Sequence, residues 1–201
     1  MRLQVSATAI AVSVLVACSG PERTPGDSTL FEAANDGIEY DYSPLQSTDD
    51  AVSRSDLIVS GTIVAVTEGW EERDARNDRY GRYAILEIEV AQHIAGNAVG
   101  SRVFVAIGIS QRADWGAVAS DLPRGRVLLV LDDLADWQSG PKIGFPESSF
   151  VPFVDGIWFE DASRGMRGLW VQLDEVSPSF AADLTSFDLA ISRLSAAWAR
   201  R

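Results

Sequence analysis

The sequence predicts a mainly β protein with a C-terminal α-helix, arranged as a small β-barrel or a strongly bent antiparallel sheet. Three observations carry this. Two segments alternate cleanly with period two: Ala84, Leu86, Ile88 and Val90 against Ile85, Glu87 and Glu89, then Val103, Val105, Ile107 and Ile109 against Arg102, Phe104, Ala106 and Gly108. Two others, Leu57–Val66 and Val127–Leu131, are apolar on both parities, as in strands covered on both faces. The period then switches near the end, where Leu184, Phe187, Ile191, Leu194 and Trp198 share one helical stripe.

The chain has 201 residues, 46% apolar and 23% charged, enough for one domain with a real core. Its net charge of −12 argues against a nucleic-acid backbone as partner. A single cysteine excludes an internal disulfide, and a single histidine excludes most triad and metal chemistry.

Taken in order, Met1-Arg2 opens an apolar run from Leu3 to Val16 broken only by Gln4, Ser6, Thr8 and Ser13. A basic start, an apolar stretch and small residues at its end mark a secretory signal over residues 1–17. The run is shorter than the ~20 residues that span a bilayer. It ends Leu15-Val16-Ala17-Cys18-Ser19-Gly20, which resembles the lipobox of bacterial lipoproteins. The resemblance implies that Cys18 takes diacylglycerol on sulfur and becomes the first mature residue. Two acyl chains of the palmitate type on this one cysteine supply stable attachment without a membrane span. The expected location is therefore extracytoplasmic, on the cell membrane of a bacterial envelope. Arginine outnumbers lysine, with Lys142 the lone lysine; this bias suggests a GC-rich, actinobacterial source.

Residues 18–46 carry Pro21, Pro25, Gly26 and Pro44 with little periodicity and are expected to form the lipidated N-terminus and a flexible tether. The β-rich domain is expected over 47–201. Ser47 caps a short helix through Arg54. Leu57–Val66 is a strand, with Gly61 marking a bulge or bend. Gly69–Arg82, dense in both charges, reads as a solvated hairpin loop, and Tyr83–Val90 as the next strand. Gly96, Asn97 and Gly100 turn the chain into the third strand. A helical turn is expected around Asp114–Val118, a buried strand over Val127–Leu131, and a long loop over 135–152. Gly156–Phe159 and Leu169–Leu173 read as a hairpin. Ser177-Pro178 then caps a helix over 178–199, expected to pack on the sheet.

The stretch Ser55-Asp56-Leu57-Ile58-Val59-Ser60-Gly61-Thr62-Ile63, followed after a hydrophilic gap by Ala84–Val90 and Gly96, resembles the netrin-like and tissue-inhibitor-of-metalloproteinases group of OB-fold barrels. The resemblance covers residues 51–131 and implies an OB-like barrel. It does not bring protease inhibition with it: the disulfide cysteines of the animal members are absent, and the N-terminal cysteine that activity uses is here expected to be lipidated.

Candidate chemistry is sparse. His93 stands alone at an expected strand end, with no Gly-x-Ser-x-Gly, His-Glu-x-x-His or phosphate-loop pattern in the chain. The pairs Asp132-Asp133 with Asp136, Glu160-Asp161 and Asp174-Glu175 could serve a hydrolase if one carboxyl were held protonated, but a solvated face accounts for them. The stretch Asp136–Glu147 has the length of a calcium loop, yet Gln138 and Gly140 fall on ligand positions and Pro141 replaces the glycine. No metal or cofactor is implied. Of six tryptophans, Trp158, Trp170 and Trp198 are assigned to the core. Trp70, Trp115 and Trp137, in or beside loops, are the candidate ligand-binding aromatics, with core filling and loop anchoring as the plainer role. The functional expectation is a lipid-anchored, non-catalytic binding module for an envelope protein or small ligand; the alternative is a secreted hydrolase using carboxylates near Asp132–Asp136.

Overall fold

A computed structural model describes residues 29–37, 41–72, 79–97, 99–136, 141–161 and 165–201. The signal segment, Cys18 and Trp137 lie outside them. Five strands dominate: β1 (Leu57–Glu72), β2 (Arg79–Gly96), β3 (Arg102–Gly108), β4 (Val127–Asp133) and, after the two-residue β5 (Lys142–Ile143), β6 (Ser149–Glu160). β7 (Met166–Gly168) is added at the outer edge of β6.

β1 pairs antiparallel with β2 along its length and with β4 over Leu57–Gly61. β2 pairs with β3, β3 runs parallel to β6, and β6 pairs back to β4. The circuit β1-β2-β3-β6-β4-β1 is therefore a closed five-stranded barrel, the first of the two expected alternatives.

Closure explains the apolar runs. Leu57 and Val59 of β1 and Val127, Leu129 and Leu131 of β4 belong to the interior cluster, with Leu86, Ile88, Val105, Ile157 and Phe159. The other parity, Ile58, Leu128, Val130 and Trp158, lies in a second cluster outside the barrel wall. That outer layer is covered by α2 (Thr48–Arg54), α4 (Pro178–Asp183) and α5 (Phe187–Ala199) through Ala51, Val52, Phe180, Leu184, Phe187, Ala190 and Leu194. Capping follows expectation at α2, where Ser47 Oγ accepts from Asp50 N, and at α4, where Ser177 precedes Pro178.

Several expectations are corrected. The tether does not extend to residue 46. Thr29–Asn35 forms α1, with Leu30, Phe31, Ala33 and Ala34 buried in the interior cluster. α1 is tied to the barrel end where β3 and β6 finish and β4 begins: Ser110 N donates to Ala33 O at 2.8 Å, Thr29 Oγ1 to Ala117 O at 2.9 Å, and Trp170 Nε1 to Ala34 O at 3.2 Å. Together with α3 (Trp115–Ser120), the expected helical turn, which Asp114 caps, it closes that end. Gly69–Glu72 and Arg79–Arg82 continue as strand, paired through their backbones, and only 73–78 fall between β1 and β2.

The 135–152 stretch contains β5 and the first residues of β6, because Lys142–Ile143 pair with Trp70–Glu71 and Ser149–Phe150 with Phe104–Val105. The last hairpin pairs Trp158–Glu160 with Met166–Gly168, not with Leu169–Leu173. The expected 178–199 helix is two helices, since Ser186 Oγ caps a fresh start by accepting from Leu189 N. Its buried stripe is Phe187, Ala190, Leu194 and Ala197, so Trp198 stands exposed beside Arg201 and is not a core residue. Trp158 is fully buried and Trp170 half-buried.

Phe31, tilted against Phe159 at 5.1 Å between ring centroids and covered by Arg167, is the main apolar plug at the closed end. Phe31→Ala is expected to lower stability by about 3 kcal/mol, read by urea unfolding with the far-ultraviolet spectrum retained. A change under about 0.5 kcal/mol would show that α1 is not part of the folded core.

Candidate functional site

The opposite barrel end is the one where β1, β3 and β6 begin and β2 and β4 finish; among the described residues no α-helix covers it, and only the single 3-10 turn Leu134–Asp136 stands at its rim, through Ala135. This end holds a cleft of about 570 Å³. Its apolar lining comes from strand starts: Leu57 of β1, Val103 and Phe104 of β3, and Phe150 of β6. The polar lining comes from what lies just beyond the strands: Asp56, Asn97, Asp133, Glu147 and Ser148, with Arg102 at the head of β3.

Local chemistry holds this wall in place. Asp56 Oδ2 accepts from Asp133 N at 2.8 Å, while Asp56 N donates to Leu131 O at 3.0 Å, so the entry to β1 and the exit of β4 are clamped together. Asp133 Oδ1 in turn accepts from Ala135 N at 2.8 Å and turns the chain out of the sheet. The Arg102 guanidinium is engaged by Glu87 on the neighbouring strand. Its charge is thereby partly spent within the barrel, and the cleft keeps a surplus of carboxylates over an apolar floor.

The residues singled out from sequence are dispersed. Trp70 is half-buried near the end of β1, with the Arg82 guanidinium 5.3 Å above its ring. Arg82 also donates to Glu68 Oε1 at 2.7 Å and to Ala113 O at 2.7 Å, so this tryptophan belongs to the join between the β1–β2 ribbon and the 109–114 segment. Trp115 is half-buried at the start of α3 against the interior cluster. Neither lines the cleft. His93 lies within β2, not at its end; it is exposed, with Nε2 2.9 Å from Asn97 O.

Of the acids near the exit of β4, Asp133 lines the cleft and Asp132 does not, and both are half-buried. The side chain of Asp136 is not among those described. The described residues include no group of three or more His, Cys, Asp and Glu side chains placed to hold a metal, and no helix long and apolar enough to cross a membrane.

Sequence reasoning missed Asp56, Glu147, Phe104 and Phe150. The available signal for Asp56 was its position directly before a strand start, as Asp133 is directly at a strand exit. Only the β1–β4 pairing shows that the two positions are neighbours. Also missed was Asp155, fully buried in β6 outside the cleft. Burial pushes its carboxyl above the ordinary aspartate range, against the opposing pull of the Leu45 amide.

Asp56→Ala removes the acceptor for the Asp133 amide and is expected to cost about 1–3 kcal/mol, with faster amide exchange at residues 133–135 measured by mass spectrometry. An unchanged exchange pattern would show that the clamp does not hold the cleft wall. No protein-family model, no curated protein and no solved structure matches this chain, so the fold and the cleft are read from its own geometry.

Proposed function

We propose that the protein is a lipid-anchored, extracytoplasmic binding protein of the bacterial cell envelope, attached to the membrane through acylated Cys18 and binding a small ligand in the barrel-mouth cleft. The observation that carries the binding reading is the contrast between the two barrel ends. The interior is filled by side chains and one end is closed by α1 and α3, while the other keeps an open cleft whose volume lies within the ~300–1,000 Å³ common for small-molecule sites. The lining selects for a compact apolar body, which Phe104 and Phe150 would contact. It also selects for a positive group near Asp56, Asp133 and Glu147. The acidity of the whole chain favours approach of such a cation.

The anchoring reading is supported by the signal segment and by the position of Cys18 after Leu15-Val16-Ala17. The netrin-like relationship is supported at the level of fold by the closed five-stranded barrel.

Two experiments test these readings separately. Mass spectrometry of the native protein is expected to show a chain beginning at Cys18 with a diacylglyceryl mass, and Cys18→Ser to leave the membrane fraction. A wild-type chain that retains residues 1–17 and fractionates as free protein would overturn the anchor.

For the cleft, a thermal-shift series with phenethylamine and benzylamine, set against the corresponding neutral alcohols, is expected to show stabilisation by the amines alone. A ligand at 100 times its dissociation constant adds ~2.7 kcal/mol. Glu147 is exposed, so Glu147→Lys should fold normally while weakening the amines about tenfold or more. Equal response to amines and alcohols, or to wild type and variant, would sink the cation reading.

A further inference from the structure

Outside the cleft, a buried carboxylate sits where the chain preceding the barrel is fastened to it. β6 leaves its register with β4 between Pro152, opposite Leu131, and Ile157, opposite Leu129. Four residues, 153–156, thus stand against the single residue Val130, a wide local departure of the kind that re-aims a side chain. Asp155 in this bulge is 0% exposed. Its Oδ2 accepts from Leu45 N at 2.7 Å, its Oδ1 has no partner, and its own carbonyl receives Trp158 Nε1 at 2.7 Å.

The segment it holds, residues 41–46, is the arm between α1 and α2. Leu45 is buried in the outer cluster, and Tyr42 packs on the same cluster. Arg54 of α2 donates to Ser43 O at 2.9 Å and Pro44 O at 3.2 Å, and Ser177 Oγ donates to Gln46 O at 2.8 Å.

The charged and titratable surroundings of Asp155 come from three directions. From α2, Arg54 favours its ionised form and Asp50 opposes it, but the Arg54 guanidinium is committed to the arm carbonyls, to Asp50 Oδ2 and to the face of Phe153. From the arm comes the Tyr42 phenol, itself raised by burial and by Asp155. Beside Tyr42, from the segment preceding α4, stands Glu175.

We propose that Asp155 is a pH-responsive latch for the arm: as a neutral acid it keeps residues 41–46 seated, and as a carboxylate it drives their release. A buried carboxylate with one unsatisfied oxygen is costly, and the structure offers the backbone amides of Leu45 and of Asp155 itself and a shared guanidinium against that cost. Lifting the arm admits water to both oxygens. The sign follows from the raised folded-state value: the contribution to stability is fully present below the unfolded carboxylate value of ~3.9 and is lost as pH rises through the folded one. The arm is held tightest in acid and loosens toward neutrality. Release frees six residues, each adding at most ~3.6 Å of reach, upstream of α2. The proposal uses neither the cleft nor the lipid, so it stands or falls independently of both.

The test is hydrogen–deuterium exchange of the arm in the full chain between about pH 4 and pH 8, corrected for intrinsic exchange, in wild type and Asp155→Asn. The substitution keeps an oxygen for the Leu45 amide and removes the charge. In wild type, protection of 41–46 is expected to fall about tenfold per pH unit between the ordinary aspartate value of ~3.9 and the raised Asp155 midpoint, and to level off above that midpoint; in Asp155→Asn it should stay high and flat. A flat wild-type profile, or the same slope in both proteins, overturns the latch. Should the variant fail to fold, carbon-13 titration of the Asp155 carboxyl in wild type decides. A raised midpoint that coincides with loss of arm protection supports the latch, and a midpoint in the ordinary aspartate range overturns it.

Discussion

The whole molecule depends on one strand serving two neighbours. β1 must satisfy β4 along one edge over Leu57–Gly61 while satisfying β2 along the other for its full length. Backbone donors and acceptors in a sheet are obligatory pairs, so β1 can do both only by coiling sharply between them. Its register with β2 slips at Ile58/Val59, Ser60/Gly61 and Ile63/Ala65, and at Gly61 a Cβ would overlap the Glu89 carbonyl. This coiling makes a tube of what would otherwise be a sheet. It creates the filled interior, the apolar outer wall that α2, α4 and α5 cover, and the two ends that α1 and the cleft occupy.

What the sequence revealed, and what it hid, follows from the range of the interactions. The both-parity runs at Leu57–Val66 and Val127–Leu131 were legible because each position faces some apolar layer. The helix caps at Ser47 and Ser177 were legible because their partners are three residues away. α1 was not: seven residues lying amid prolines and glycines carry no period, and their burial depends on a barrel end assembled from β3, β6 and β7. The start of β6 was hidden by Pro146 and Pro152, which read as loop. Pro152 is tolerated where β6 departs from the β4 ladder.

Trp198 misled for a related reason. The stripe of large residues suggested one face, whereas two alanines, Ala190 and Ala197, allow α5 to approach the wall closely on another. The cleft was beyond reach because its walls are strand ends distant in sequence. Of the tryptophans that drew attention, Trp70 and Trp115 brace joints of the fold.

Arginine does much of this bracing. Arg126, just before β4, makes a two-pronged contact with Glu160 of β6 at 2.6 and 2.8 Å, reaches Asp188 of α5 at 2.8 Å, and lies 4.4 Å above the Phe187 ring. Hydrogen bonding to Glu160 pushes its pKa upward, so it stays charged throughout. A planar fork that stacks and bonds at once suits this position, and a lysine could not reproduce it. Such half-exposed pairs contribute modestly to stability; their value lies in orienting α5 on the barrel. Arg82 has the same part between Trp70, Glu68 and the 109–114 segment.

The placement of α1 fixes a direction in space. Thr29, the first described residue, lies beside α3 at the stoppered pole of the barrel, and the cleft opens at the antipode. The stopper and the mouth thus share no wall: no residue of α1 or α3 lines the cleft, and the filled interior lies between the two poles.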